Sequence, residues 1–210
     1  MTHLAIIDTD PGVDDALALL LALQSPELEI KAITTVSGNV PVEVATCNVF
    51  RVLDLLPAIT RPPVAQGLSK PLQKPPFFAQ HVHGDDGLGG LNRILDADGH
   101  PQYHQPKVDI SKRNAVDEIL YQLSLTPEPI TIIALGPLTN IAAALKKDQE
   151  QMRTVERIVL MGETGHGETH SGCPSCKRCL LKVVGRATNE RVGRGGQFRG
   201  AGGDCGGHQP

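Results

Sequence analysis

Aliphatic runs alternate with helix-like segments through the first 162 residues, and this alternation constrains the fold more than any other feature. Apolar strands that alternate with helices are typical of a parallel sheet covered by helices on both faces. We therefore predict an α/β fold, in which the first helix is buried because it is apolar on most sides. The predicted strands are 4–8, 29–36, 62–67, 130–135 and 155–162, and the predicted helices are 14–23, 41–56, 115–125 and 136–147.

Three polar segments directly follow predicted strands, namely Asp8–Asp15, Ser37–Asn39 and Leu135–Thr139. In open parallel sheets, ligands bind in the crevice at the carboxyl ends of the strands. We expect the three segments to converge on one such crevice, which would be the functional site of the protein.

The first of these segments reads DTDPGVDD and carries four aspartates among eight residues. Crowded carboxylates repel one another, so a cation, a helix N-terminus or solvent must offset their charge. Carboxylates are hard oxygen ligands, which suit Ca²⁺ or Mg²⁺ better than a thiophilic metal. Asp14 is also a natural N-cap or first-turn residue for the next helix. Four carboxylates after a buried strand nevertheless favour a metal or catalytic site over a merely acidic helix start.

The DTD after the first strand also resembles the start of haloacid dehalogenase-like phosphotransferases, in which the first aspartate is a nucleophile and Mg²⁺ is bound. Their motif continues as DxDGT or DxDGV, whereas Pro-Gly-Val-Asp-Asp follows here. This departure disfavours the phosphotransferase interpretation.

A closer resemblance runs from about residue 4 to residue 162. The stretch DTDPGVDDALAL resembles the signature of the inosine–uridine-type nucleoside hydrolases, and ITTVSGN, HGDDGLGG, ALGPLTNIA and VERIVLMG follow in the order of that family. The resemblance implies a mostly parallel sheet with helices on both faces. It also implies hydrolysis of the N-glycosidic bond of purine or pyrimidine ribonucleosides by a Ca²⁺-activated water.

The same resemblance implies roles for individual residues. Asp10 and Asp15 would bind Ca²⁺ together with the main-chain carbonyl of Leu135, and Asp10 would also be the general base. These roles suit the chemistry, because a metal and a base together make water a good nucleophile near neutral pH.

Substrate contacts follow from the resemblance in the same way. Asp14 would hydrogen-bond the ribose hydroxyls, Asn39 would help to hold the water and the sugar, and His83 matches a histidine near the pocket. Taken alone, these residues have simpler interpretations. Asn39 also fits a turn, His83 and His81 also fit solvated loop positions, and Asn140 fits a helix start.

The chain changes character at Glu163. Residues 163–210 hold 12 of the 22 glycines and four of the five cysteines, so they offer little apolar surface with which to offset the entropy of ordering. We predict a folded domain at 1–162, incomplete at its C-terminal side, and a disordered or out-of-frame tail at 163–210. The later motifs of the family are not recognisable, so we expect weak Ca²⁺ binding and reduced or absent activity.

The tail leaves two alternatives open. Cys176, Cys179, Cys205 and His208 have a spacing compatible with zinc, and the arginines and glycines would suit a disordered contact segment. A catalytically incompetent fragment that acts as a binding module is the corresponding alternative function.

The charge and the hydropathy pattern disfavour nucleic-acid-binding and membrane proteins. The net charge of −3 and the pI near 6.2 give no reason to expect nucleic-acid or anionic-membrane binding. No apolar run approaches the roughly 20 residues that a membrane helix needs, and no secretory signal is recognisable. We expect a cytoplasmic protein, and the resemblance adds that the family is commonly homo-oligomeric.

Overall fold

A computed structural model describes residues 2–57, 61–73, 75–162 and 180–185. The strands are β1 His3–Thr9, β2 Leu28–Thr35, β3 Val64–Gln66, β4 Ile130–Ala134, β5 Arg157–Gly162 and β6 Leu180–Gly185. The helices are α1 Val13–Gln24, α2 Val42–Asp54, α3 Gln80–His83, α4 Ala115–Leu125, α5 Thr139–Lys147 and α6 Gln149–Met152, with a 3₁₀ turn at Leu91–Arg93.

The strands form one sheet in the order β3-β2-β1-β4-β5-β6. Strands β1 to β5 are parallel, as the alternation predicts, and β6 runs antiparallel to β5. The register places Asp8 of β1 opposite Thr34 of β2 and Ala134 of β4. The three polar segments that follow these strands therefore leave the sheet at the same edge.

Helices cover both faces of the sheet, because neighbouring residues of a strand point to opposite sides. Ile6 of β1 packs in the cluster that includes Ile119 of α4, whereas Ile7 packs in the cluster that includes Leu19 of α1 and Val49 of α2. Each fully buried aliphatic side chain contributes about 1.5–3 kcal/mol. The two clusters hold the strand ends at fixed positions relative to each other.

Helix α1 differs from the expectation that it is buried on most sides. Leu19 is fully buried, but Leu17 is 64% exposed and Leu21 is 75% exposed. A helix that rests on a sheet buries only one stripe, and nothing in the described part of the chain covers the other side of α1. The apolar pattern is therefore a poor guide to the burial of this helix.

The edge of the sheet beyond β5 differs from the prediction of a disordered or out-of-frame tail at 163–210. Residues 180–185 form β6 and pair with the whole of β5, although no strand is predicted there from the sequence. The other residues of the predicted tail, including the four possible zinc ligands, lie outside the described residues. Within the described residues, no helix is long and apolar enough to cross a membrane.

Candidate active site

The aspartate segment (Asp8–Asp15) leads from β1 into α1. Gly12 is the N-cap of the helix, and its N–H donates to Asp15 Oδ2 at 2.9 Å. Asp14 is a first-turn residue and not the cap, and its side chain is 58% exposed. Asp10 and Asp15, in contrast, are almost completely buried. The segment therefore holds three carboxylates inside the protein, those of Asp8, Asp10 and Asp15, and presents a fourth, Asp14, at the surface.

Asp10 is enclosed by the turns that follow β2 and β4. The backbone N–H of Asn39 donates to Asp10 Oδ2 at 2.6 Å. A Cβ atom on Gly38 would overlap Asp10 Oδ2, and one on Gly136 would overlap Oδ1. Both neighbours are glycines because the carboxylate occupies the space that a side chain would need.

Asn39 contacts two of the buried carboxylates, those of Asp10 and Asp15. Besides its backbone bond to Asp10, its side-chain Nδ2 donates to Asp15 Oδ2 at 3.2 Å. The turn after β2 thus brings Asp10 and Asp15 together, which the order of strand ends in the sequence predicts.

One oxygen of each of the carboxylates that Asn39 contacts has no hydrogen-bond partner, namely Oδ1 of Asp10 and Oδ1 of Asp15, and Oδ2 of Asp8 also has none. Burial, and next the charge of Asp15, raise the pKa of Asp10 to about 8. Burial also raises the pKa of Asp15 to about 6. Two buried carboxylates with free oxygens fit a hard cation, which would supply the missing positive charge.

The fit to a cation involves few side chains. Among the described residues, no three His, Cys, Asp or Glu side chains are grouped closely enough to hold a metal by themselves. Main-chain oxygens would have to complete a site built on Asp10 and Asp15. Leu135, whose carbonyl is the candidate from the sequence, lines the same cleft as Asp10.

His83, at the end of α3, lies against the start of α1. Its Nδ1 accepts a hydrogen bond from the N–H of Val13 at 3.4 Å and is 3.9 Å from Asp14 Oδ1. The imidazole is 15% exposed, so it is not a solvated loop residue. His81 is exposed and packs edge-on against Phe77, with 6.5 Å between the ring centres.

These segments enclose a cleft of about 420 Å³ at the carboxyl edge of the sheet. Two larger hollows, of about 510 and 640 Å³, adjoin the first residues of β2 at the opposite edge. Convergence of polar strand ends, and not size, therefore distinguishes the candidate site. The cleft is lined by Asp10, Asp14, Asn39, His83, Leu135, Gly136, Pro137, Leu138, Leu160 and Met161.

A polar network below the cleft was not expected from the sequence. Asn140 is fully buried, and its Nδ2 donates to Asp8 Oδ1 and to the carbonyl of Thr35, both at 2.8 Å. Its Oδ1 accepts from the N–H of Leu68 at 3.0 Å. Asn140 does belong to the start of α5, as the sequence suggests, but it also joins the ends of three strands. No local pattern reveals those distant partners.

The glycine loop (His83–Asn92) is organised by Asp86, which the sequence analysis does not single out. Asp86 is buried, and its carboxylate accepts hydrogen bonds from the backbone N–H groups of Leu88, Gly90 and Asn92. These bonds and the charge of Arg51 outweigh the effect of burial and hold the pKa of Asp86 below its ordinary value. The signal for this role was the acidic residue inside a glycine-rich run.

Comparison with known proteins agrees with this geometry. The family model of the inosine-uridine preferring nucleoside hydrolases matches residues 5–173. The chain belongs to this family. It spans about half the length of the curated relatives that it matches, since 47% of each of the first two is covered.

Individual members of the nucleoside hydrolase family show the same partial match. The pyrimidine-specific ribonucleoside hydrolase RihA of Salmonella enteritidis is 43% identical over 159 residues, which are 75% of this chain and 47% of RihA. A plant nucleoside hydrolase, PpNRh1, is 36% identical with a TM-score of 0.63, over 77% of this chain and 48% of its own. A purine-preferring ribonucleoside hydrolase from Gardnerella vaginalis is 34% identical with a TM-score of 0.65, over 76% and 48%.

Proposed function

We propose that this chain carries the cation- and sugar-binding part of a ribonucleoside hydrolase site, which cleaves the N-glycosidic bond to release a base and ribose. The observation that carries the proposal is the pair of buried, unpartnered oxygens on Asp10 and Asp15 where three strand ends meet. Glycoside cleavage develops positive charge on the sugar, and nearby carboxylates stabilise that charge. The site residues thus have the charge that this reaction requires.

Ca²⁺ is the cation that we assign to the site, with Asp10, Asp15 and the main-chain carbonyl of Leu135 as the proposed ligands. Carboxylate and carbonyl oxygens are the donors that Ca²⁺ prefers. When bound, the ion supplies positive charge that keeps both carboxylates ionised and makes a nearby water more acidic. The donor set and the unpartnered oxygens support this choice.

Asp10 is the proposed general base. Its Oδ2 is occupied by the N–H of Asn39, whereas its Oδ1 has no partner and is available to accept a proton. Burial with the charge of Asp15 raises the pKa of Asp10 to about 8 when no cation is present. A bound cation would lower this pKa, so the carboxylate would be ionised and able to accept a proton near neutral pH. Asn39 holds the carboxylate in place while the proton moves.

Asp14, Asn39 and His83 are the proposed substrate-binding residues. The carboxylate of Asp14 is exposed at the cleft and can accept hydrogen bonds from two neighbouring sugar hydroxyls. His83 lies beside Asp14 and covers the start of α1, so it lies on the same side of the cleft. Fixing the sugar in this way supplies orientation, which lowers the barrier to attack.

A second candidate function is binding of a nucleoside without turnover. It is supported by the length of the match, because the chain covers about half of each relative. We propose that hydrolysis by the 210-residue chain is reduced or absent for the same reason. The base that it prefers is left open, because the names of the relatives include both pyrimidine-specific and purine-preferring enzymes.

Ribose release from inosine and from uridine, measured with Ca²⁺ and with a chelator, tests the proposal. Ca²⁺-dependent release that disappears in Asp10→Ala supports hydrolysis. The matched control is Asp54→Ala, which removes an exposed carboxylate paired with Arg61 and should not change the rate. Calorimetric binding without release supports the second function, and neither binding nor release contradicts both.

A further inference from the structure

Asn48 lies in α2 and is fully buried, next to the candidate site but outside the cleft lining. Its Nδ2 donates to the carbonyl of Pro11 at 3.2 Å and to the carbonyl of Asp86 at 2.8 Å. Pro11 belongs to the aspartate segment and Asp86 to the glycine loop. One side-chain amide therefore joins two loops that the sequence places far apart.

The chemistry at this position selects an amide. The two carbonyls require a donor, while Arg51 Nη1 donates to Asn48 Oδ1 at 3.3 Å and so requires an acceptor. An aspartate has the same shape but no donor. It would keep the contact with Arg51 and place a carboxylate against two carbonyl oxygens, which is unfavourable in a buried position.

Hydrogen bonds within the glycine loop connect Asp86, whose carbonyl Asn48 holds, to the backbone of His83. Three backbone N–H groups of the loop converge on the Asp86 carboxylate, at 2.8 to 3.0 Å. The N–H of Gly89 also donates to the carbonyl of His83 at 2.7 Å. Because these bonds connect the two ends of the loop, fixing the Asp86 carbonyl also fixes the backbone at His83.

The two loops are also in close contact. A Cβ atom on Gly87 would lie 2.9 Å from Asn48 Nδ2 and 3.1 Å from the carbonyl of Pro11. A Cβ atom on Gly12 would lie 2.8 Å from two atoms of the His83 imidazole. There is no spare space between the loops, so a shift of the glycine loop must move His83 relative to the start of α1.

We propose that Asn48 is a positioning residue that sets the place of His83 against Asp14 and thereby controls nucleoside affinity without touching the nucleoside. The role of His83 in binding the substrate rests on the proposed function. The placement of His83 by Asn48 does not, and it can be measured separately.

The experiment compares Asn48→Asp with Asn114→Ala in the full 210-residue chain. Asn114 caps α4 by accepting from the N–H of Asp117, and α4 packs on the opposite face of the sheet from α2, so its variant controls for a general loss of stability. The first measurement is the NMR signal of the His83 imidazole, assigned by its absence in His83→Gln. The second is the affinity for inosine and uridine at saturating Ca²⁺, and the third is the affinity for Ca²⁺ alone.

Asn48→Asp should shift the His83 signal and weaken nucleoside binding about tenfold, the equivalent of one lost hydrogen bond, while Ca²⁺ affinity changes by less than about threefold. Asn114→Ala should change none of the three. An unshifted His83 signal in folded Asn48→Asp overturns the proposal. If the parent chain binds no nucleoside, the proposed function fails, and the His83 signal still decides the role of Asn48.

A second variant covers the case in which Asn48→Asp does not fold. Arg51→Gln leaves Asn48 in place but removes the donor to its Oδ1 and the bond from Arg51 Nη2 to Asn92. We expect the His83 signal to shift in the same direction by a smaller amount. No shift in folded Arg51→Gln overturns the proposal in that case.

Discussion

The aspartate segment and the glycine loop lie side by side, and each buries an aspartate, but the two carboxylates have opposite environments. Burial would raise the pKa of Asp86, yet three backbone N–H groups and Arg51 hold it below its ordinary value. Asp10 receives a single hydrogen bond from another segment, and burial with the charge of Asp15 raises its pKa to about 8. A carboxylate satisfied by its own loop stabilises the structure, whereas an unsatisfied one beside a second carboxylate requires charge from outside.

The largest effect is expected from filling the space around Asp10. Gly38→Ala should lower the free energy of unfolding by about 3 kcal/mol, because the new Cβ atom overlaps a carboxylate that cannot move away. Urea unfolding measures the change. The control is Gly89→Ala in the glycine loop, where a Cβ atom meets nothing within 4 Å but φ is +75°, so about 1 kcal/mol is expected. Equal losses would show that Asp10 is not tightly enclosed.

Removing one charge from each loop should have opposite results. Asp86→Asn should destabilise the protein by about 2 kcal/mol, because an amide cannot accept all the hydrogen bonds that the carboxylate receives. Asp10→Asn should stabilise the protein by about 1 kcal/mol in the presence of a chelator, because burying Asp10 requires either an uncompensated charge or uptake of a proton and an amide requires neither. Urea unfolding at pH 7.5 measures both. Changes of the same sign would contradict the distinction between the two loops.

The aspartates of the aspartate segment should determine how the free energy of unfolding depends on pH. Burial raises the pKa to about 8 for Asp10 and to about 6 for Asp8 and Asp15, from an ordinary value of 3.8. The folded state then binds protons more tightly than the unfolded chain. This tighter proton binding stabilises the folded state fully at a pH below the ordinary pKa, and the stabilisation is lost as the pH rises through 6 and 8.

We therefore expect the free energy of unfolding, with a chelator present, to fall by about 1–2 kcal/mol between pH 7 and pH 8.5, where Asp10 is the group that titrates. Denaturant unfolding at a series of pH values checks this, and Asp10→Asn should flatten the upper part of the curve. A free energy that rises over this range would mean that the carboxylates are already compensated by groups of the protein.

The smallest effect is expected from Ca²⁺ itself. An ion present at about five times its Kd should stabilise the folded chain by about 1 kcal/mol, measured as a higher Tm on addition of Ca²⁺ and a lower one with a chelator. Asp15→Asn should abolish the response, and Asp86→Asn should retain it. Loss of the response in Asp86→Asn but not in Asp15→Asn would show that the cation binds at the glycine loop and not at the aspartate segment.

The five parallel strands and the meeting of their polar ends were predictable, because burial on both faces leaves a continuous aliphatic run and parallel strands end at one edge, whereas the antiparallel β6 was not predicted. Asp10, Asp15 and Asn39 meet there as the order of the motifs suggests. Their proposed chemical roles stay predictions. His83 was recognised as a candidate from its motif, and the structure adds its contact with the start of α1.

Asn48 and Asn140 could not be found in the same way. Each lies in a helix where an asparagine attracts no attention, and the farthest hydrogen-bond partner is 38 residues away for Asn48 and 132 residues away for Asn140. The exposure of Leu17 and Leu21 was also unpredictable, because an apolar pattern shows which side chains avoid water and not which neighbours are present to cover them.

The exposed apolar face of α1 and the carboxylates at its N-terminus belong to one short helix. A helix of 12 residues is about 18 Å long, and this one carries Asp14 and Asp15 in its first turn and Leu17 and Leu21 on its outer side. A surface that covered the two leucines would contact the same helix that positions the two carboxylates. Such a surface would change cation affinity only to the extent that it moved the first turn of α1, and the cation would then change the affinity for that surface by the same factor. One helix therefore carries both the exposed leucines and two carboxylates of the candidate site.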